Sequence, residues 1–305
     1  MKFNPEEFLI FEAITGSRLY GTNTEMSDTD KRGVCIPPMR VLLDPFQKFE
    51  QKDSFDEDDD RTIFNLEKFF KLCADCNPNI VELLFIPDDK VLFMSDAWEK
   101  VLENRNLFLS KKAKWTFTGY AFSQVGSIKS HRKYFTNPPK RKPMRSDFGL
   151  KETPTISGDG LNALANSPMG MLKDEYINEI GNEVSYKKAM EDWHDYVAWR
   201  DARNPVRKKM EEDFGYDCKK ASHTFRLMQE GKELLTTGGI SFPLENASEL
   251  LAVKNGRYSF DEFMEKVEAM ESDFDKWFEE SMLPYGANKV GISNLYFELL
   301  KGANL

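Results

Sequence analysis

The chain has 305 residues, 40% of them hydrophobic and 24 of them phenylalanine, which is enough to bury a full core and excludes a disordered polyelectrolyte. Its net charge of −9 argues against a general nucleic-acid coat protein. With no N-terminal apolar signal region and no apolar run of about eighteen residues, the sequence predicts a soluble, cytoplasmic protein with no membrane partner. Four cysteines do not make a disulfide framework. Cys73 and Cys76 form a CxxC, but no second pair or nearby histidine completes a zinc site, so they read as thiols on a helix end near the core.

The first predicted element is an apolar strand, Phe8 to Ile14, leading into the turn Gly16-Ser17. A polar connection then reaches Asp28-Thr29-Asp30, and an apolar stretch, Val34 to Pro37, follows. Side chains alternate faces along a strand, so Asp28 and Asp30 share one side. Two adjacent carboxylates repel each other unless a cation lies between them, and oxygen-only ligands suit Mg²⁺ or Mn²⁺. Glycine lets the backbone approach a ligand closely, and amides at a following helix N-terminus attract anions. A phosphate cradle beside a divalent-metal pair is equipment for phosphoryl or nucleotidyl transfer.

A third extended segment is expected around Arg61 to Phe64, after the acidic run Asp53 to Asp60. A helix follows from Leu66 to about Asp75, with Leu66, Phe69, Phe70 and Cys73 at helical spacing, and Asn77-Pro78-Asn79 stops it. Ile80 to Ile86 is apolar with one acid, Glu82, embedded in it. From about Ser95 the pattern is helical, with candidates at Ser95–Asn104, Lys111–Arg132, Tyr176–Val197, Cys218–Leu235, Ser259–Met282 and Ser293–Lys301. Ser259 with Glu262 three residues on reads as a capping box, ahead of a core stripe from Phe263 to Phe278.

Two further segments carry charge. Lys129 to Arg145 holds seven Lys/Arg and no acid, and reads either as a solvated face or as a basic arm meeting a polyanion. Residues 136–170, with five prolines, read as a loop-rich insertion. Asp217 is placed as a helix cap, so that Lys219, His223 and Arg226, at i, i+4 and i+7, share one face. Such a stripe would grip a triphosphate, with lysine as a point charge and arginine as a fork. The rival reading is a surface helix whose basic face pairs with neighbouring acids, and His223 could equally be a buried hydrogen-bonding residue.

The Gly-Ser followed about ten residues later by Asp-x-Asp resembles the signature of the DNA polymerase β-like nucleotidyltransferase superfamily. The longer string GSRLYGTNTEMSDTDKRGV resembles a subgroup of uncharacterised or RNA-repair-associated nucleotidyltransferases of bacteria and phages. So do DRTIFNLEKFFKLCADCNPNIVELLF, GYAFSQVGSIKSHRKYFTNPP and KELLTTGGISFPL, while Asp217 to Leu227 is similar to the subgroup's Asp-x-Lys-x-x-x-His-x-x-Arg-Leu at every position. Residues 140–200 show little of it. The resemblance implies an α/β (α+β) fold, with a polymerase-β-like palm at 1–95 and a mostly helical domain at 96–305. It implies a Mg²⁺-dependent nucleotidyltransferase that uses two Mg²⁺ or Mn²⁺ ions and a nucleoside triphosphate such as ATP. Asp28, Asp30 and Asp60 would be catalytic metal ligands, with Glu82 the alternative third acid. Gly16, Ser17, Lys219, His223 and Arg226 would bind the nucleotide, and Arg32 would hold a phosphate or pair with an acid. The acceptor implied is RNA, a tRNA or a broken end, met by Lys129–Arg145. A protein or small-molecule acceptor, or a catalytically inactive nucleotide-binding partner, are the alternatives.

Overall fold

A computed structural model describes residues 3–46, 48–56, 59–153 and 174–303. The fold is mixed α/β, with a five-stranded sheet in the N-terminal region and helices thereafter. The strands are β1 (Leu9–Ile14), β2 (Thr29–Cys35), β3 (Gln51–Asp56), β4 (Asp59–Asn65) and β5 (Val91–Met94), in the order β3-β4-β2-β1-β5. β1 runs antiparallel to β2 and to β5, and β3 is antiparallel to β4. The β2–β4 pair is parallel, and its register sets Asp30 opposite Asp60 and Val34 opposite Phe64.

β3 and β5 were not anticipated from the sequence. β3 lies at the sheet edge and carries polar residues, and Asp53 is held by Gln51 and by Thr62 Oγ1 at 2.9 Å. β5 is four residues long, too short to show a period. Between β1 and the helices lies an aromatic core, in which Phe11 stacks on Trp98 at 4.1 Å and Phe69 sits 5.1 Å from the same indole.

The helix Leu66–Ala74 is capped by Asn65, and Asn77 caps the following turn Pro78–Val81. All four cysteines are buried and none is in a disulfide among the described residues, with Cys73 at the end of the first of these helices. The capping box at Ser259 and Glu262 is present and opens the helix Phe260–Glu280, whose Phe263, Val267 and Phe274 are buried. Asp217 caps the helix Cys218–Thr237 by accepting from Lys220 N at 3.0 Å. Gly231 lets this helix approach its neighbours, since a Cβ there would lie 2.9 Å from Phe117 Cβ and 3.1 Å from Phe274 Cε1. The helices Pro205–Phe214 and Ala247–Lys254 were not anticipated, being short with little apolar period.

The chain forms two compact units. The first joins residues 1–126 to 217–305 and contains the sheet and the C-terminal helices. The second comprises 127–216 and includes the helices Asp174–Asp201 and Pro205–Phe214. In it Tyr134, Tyr196 and Trp199 pack within 5.9 Å of one another. Much of the basic segment is paired here: Lys133 with Asp192, Arg141 with Asp147, and Arg145 with the buried Glu183. Residues 154–170 of the expected insertion lie outside the described residues.

Candidate metal and nucleotide site

At the end of β1 the chain turns sharply. Thr15 N donates to Asp30 O at 2.8 Å, tying the turn to β2. Gly16 has φ +64° and ψ −146°, a backbone region open essentially to glycine. A Cβ at this position would lie 1.8 Å from Asp30 Oδ2, so the Asp30 carboxylate rests against the bare Gly16 Cα. Ser17 begins a single helical turn, α1 (Ser17–Tyr20), and its hydroxyl is buried with no hydrogen-bond partner among the described residues. That turn is too short to carry the helix-terminus attraction expected from the sequence.

Arg18 donates to the carbonyls of Asp28 at 3.2 Å and Ser27 at 2.8 Å, which folds the polar connection back over α1. Asp28 thereby arrives beside Asp30. Asp60 comes from the adjacent parallel strand. One carboxylate oxygen from each of Asp28, Asp30 and Asp60 lies within 4.8 Å of the others. Burial above all, then Asp28 and Asp60, pushes the Asp30 carboxyl above its ordinary range, against the opposing pull of Arg32 and Lys219. This set of hard oxygen donors could hold a divalent cation.

Lys219 is exposed at the start of its helix and its charge reaches Asp30. Beside it stands Lys254, at the end of Ala247–Lys254, which the sequence did not single out. Burial first and Lys219 second push the Lys254 ammonium below its usual range, while Asp28 pulls the other way. The only sequence cue for Lys254 would have been its helix, which is itself inconspicuous. His223, one turn beyond Lys219, is half-buried.

Two predicted residues lie elsewhere. Glu82 is fully buried and is not part of the three-carboxylate cluster; its Oε2 accepts from Tyr20 OH at 2.9 Å. Arg226 does not continue an exposed stripe with Lys219. It is 5% exposed and turned inward, where Nη1 donates to Glu230 at 3.0 Å and Nη2 to Asn79 Oδ1 at 3.0 Å. Two buried carboxylates, Glu82 and Glu230, draw it there. Burial raises both acids, Glu230 to about 8, against the pull of the guanidinium.

Among proteins of known sequence, an uncharacterized 38.9 kDa protein of Enterobacteria phage T4, from the nrdC-mobD intergenic region, is 24% identical over 85% of this chain and 87% of its own length. No solved structure matches the chain. Residues 5–141, which hold the sheet, the Gly16-Ser17 turn and all three aspartates, match the family model described as RlaP, the RNA repair pathway DNA polymerase beta family, in agreement with the resemblance carried by the Gly-Ser and Asp-x-Asp signature.

Proposed function

We propose that the protein is a divalent-metal-dependent nucleotidyltransferase that moves a nucleoside monophosphate from a nucleoside triphosphate to a hydroxyl on RNA. The observation that carries this reading is the convergence of Asp28, Asp30 and Asp60 within 4.8 Å, against the bare Cα of Gly16. The donor set suits Mg²⁺ or Mn²⁺, and the buried, unpartnered Ser17 hydroxyl is a polar group available to a ligand at the same turn. Bound ions would neutralise phosphate oxygens and acidify the acceptor hydroxyl.

The remaining roles fall to the chain itself. Asp28 and Asp30 hold metal, and Asp60 is the third acid, in preference to Glu82. The Gly16-Ser17 turn admits phosphate oxygens close to the backbone, while Lys219 and Lys254 meet the charge of the β- and γ-phosphates. In the transfer, the acceptor hydroxyl gives up its proton, with Asp60 as the carboxylate placed to take it, its oxygen bonds to the α-phosphorus, the α–β phosphoanhydride bond breaks, and pyrophosphate leaves. RNA is favoured as acceptor by the description of the matching family. The exposed Lys129, Lys140 and Lys142 add basic charge for a polyanion.

Incubation with α-labelled nucleoside triphosphates, total RNA, total protein and Mg²⁺ tests the reading. Label should appear on RNA and vanish in Asp28→Ala and Asp30→Ala. Label on protein would assign a protein acceptor, and no aspartate-dependent label on any acceptor would remove the enzymatic reading.

A further inference from the structure

Arg226 carries more connections than a core ion pair requires. Its Nη1 donates to Tyr20 OH at 3.1 Å, and its guanidinium lies 4.6 Å over the Tyr20 ring. Tyr20 closes α1, and its backbone N–H bonds to Gly16 O at 3.1 Å. One chain of contacts therefore runs from Arg226 to the Gly16-Ser17 turn. A second runs through Asn79, whose side chain accepts from Arg226 Nη2 at 3.0 Å and whose carbonyl accepts from Arg32 Nη1 at 3.1 Å. Arg32 is two residues beyond Asp30 on β2, hence on the same face. A third connection is the helix itself, which places Lys219 two turns before Arg226.

We propose that Arg226 is a positioning residue of the nucleotidyl-transfer site, fixing the Gly16-Ser17 turn through Tyr20 and strand β2 through Asn79 and Arg32, and that it does not touch phosphate. The proposal rests on the nucleotidyltransferase reading above. A phosphate reaching this guanidinium would have to displace Glu82 and Glu230 from a pocket where the side chain is 6% exposed. Glu82, Glu230 and Asn79 already take up the guanidinium N–H donors that an arginine would otherwise offer a phosphate. What the contacts achieve instead is geometric. The glycine turn and the metal strand belong to different segments, and one side chain from a third segment holds both.

The test uses the full chain, with Mn²⁺ alone and inorganic tripolyphosphate as probes, in Tyr20→Phe, Arg226→Lys and Lys219→Ala. Tyr20→Phe deletes only a hydroxyl, so it keeps the proposal falsifiable if the arginine variants fold poorly. Positioning predicts that Tyr20→Phe and Arg226→Lys weaken Mn²⁺ binding by about 10- to 100-fold, the range for residues that orient metal ligands. Lys219→Ala should not weaken Mn²⁺ binding and should weaken tripolyphosphate binding. Unchanged Mn²⁺ affinity in Tyr20→Phe and Arg226→Lys, with tripolyphosphate binding abolished, would make Arg226 a phosphate ligand and overturn the proposal. A lowered melting temperature with both affinities intact would reduce Arg226 to fold support and overturn it equally. If the wild-type protein binds no Mn²⁺ through Asp28, Asp30 and Asp60, the nucleotidyltransferase reading fails and takes this proposal with it.

Discussion

Gly16→Ala isolates the closest contact in the proposed site. Two costs can be read from the structure. The backbone sits at φ +64° and ψ −146°, where a non-glycine residue is strained by about 1–3 kcal/mol. The new Cβ would also fall 1.8 Å from Asp30 Oδ2 and 2.7 Å from Asp30 Cγ, so the carboxylate must swing away. Leaving Asp28 and Asp60 costs Asp30 little, because that neighbourhood already disfavours its ionised form. Stability should therefore fall by little more than the backbone strain, or about 2–4 °C per kcal/mol for a unit of this size. Mn²⁺ affinity should fall much further, by at least tenfold, since a ligand has moved. Thermal melts of the metal-free protein and Mn²⁺ titration followed by electron paramagnetic resonance read the two quantities separately. In an Asp30→Ala background the contacts with Oδ2 and Cγ disappear and only a 3.1 Å approach to Cβ and the backbone part remain, so the two changes should couple. Additive stability losses together with undiminished Mn²⁺ binding in Gly16→Ala would refute the contact between Gly16 and Asp30.

The other predictions concern charge. The Asp30 carboxyl titrates above its ordinary value of 3.8, so the folded state holds the extra proton and the metal-free protein loses stability as pH rises through that window. Asp30→Asn should remove this slope and raise the melting point near neutral pH, an outcome that melts across pH would contradict if the slope persisted. Glu230, raised from 4.5 to about 8, likewise contributes a loss of stability as pH climbs through that range, and Glu230→Gln should flatten it. The double change Glu82→Gln with Glu230→Gln leaves Arg226 with neither carboxyl partner and should cost on the order of 3–5 kcal/mol in denaturant unfolding; a double variant of unchanged stability would show that the guanidinium is not held by these acids. Lys254→Ala should weaken triphosphate binding by roughly 1.5–3 kcal/mol and spare the monophosphate, and equal losses by calorimetry would remove Lys254 from the phosphate site. Reversing Lys129, Lys140 and Lys142 should weaken RNA binding and flatten its salt dependence by about 0.7 for each RNA phosphate no longer neutralised, with unaltered slopes placing the RNA elsewhere.

What could be read from the sequence was what the chemistry keeps contiguous. Gly16, Ser17, Asp28 and Asp30 fall within fifteen residues of one another because one turn and the start of the strand beside it carry all four. The capping box at Ser259 was legible for the same local reason. Asp60 was readable only as the start of an extended segment, and its place opposite Asp30 is a matter of parallel register between distant strands. The inward turn of Arg226 depends on Glu82 and Tyr20, 144 and 206 residues away in the chain, although Glu230 at i+4 was a local hint. The Lys129–Arg145 segment looked unopposed because two of the acids that pair with it, Glu183 and Asp192, lie on a later helix.

The way this chain distributes its ion pairs bears on the proposed site. Four buried acids are each paired with an arginine: Glu183 with Arg145, Glu211 with Arg203, and Glu82 and Glu230 with Arg226. At the three-aspartate cluster the opposite holds. Lys219, Lys254 and Arg32 are near enough to perturb or feel Asp28 and Asp30, yet among the described residues none forms an ion pair with those carboxylates or with Asp60. Carboxylates crowd one another on one side, and two lysines repel each other on the other side. Direct contact between the two sets would relieve both repulsions, and the fold holds them apart instead. Such an arrangement is unfavourable in the free protein, and under the proposed function a divalent cation among the acids and a triphosphate reaching the lysines would offset it. The separation of charges that costs stability in the free protein is thus the same feature that would give a metal–triphosphate complex its binding energy under the proposed function.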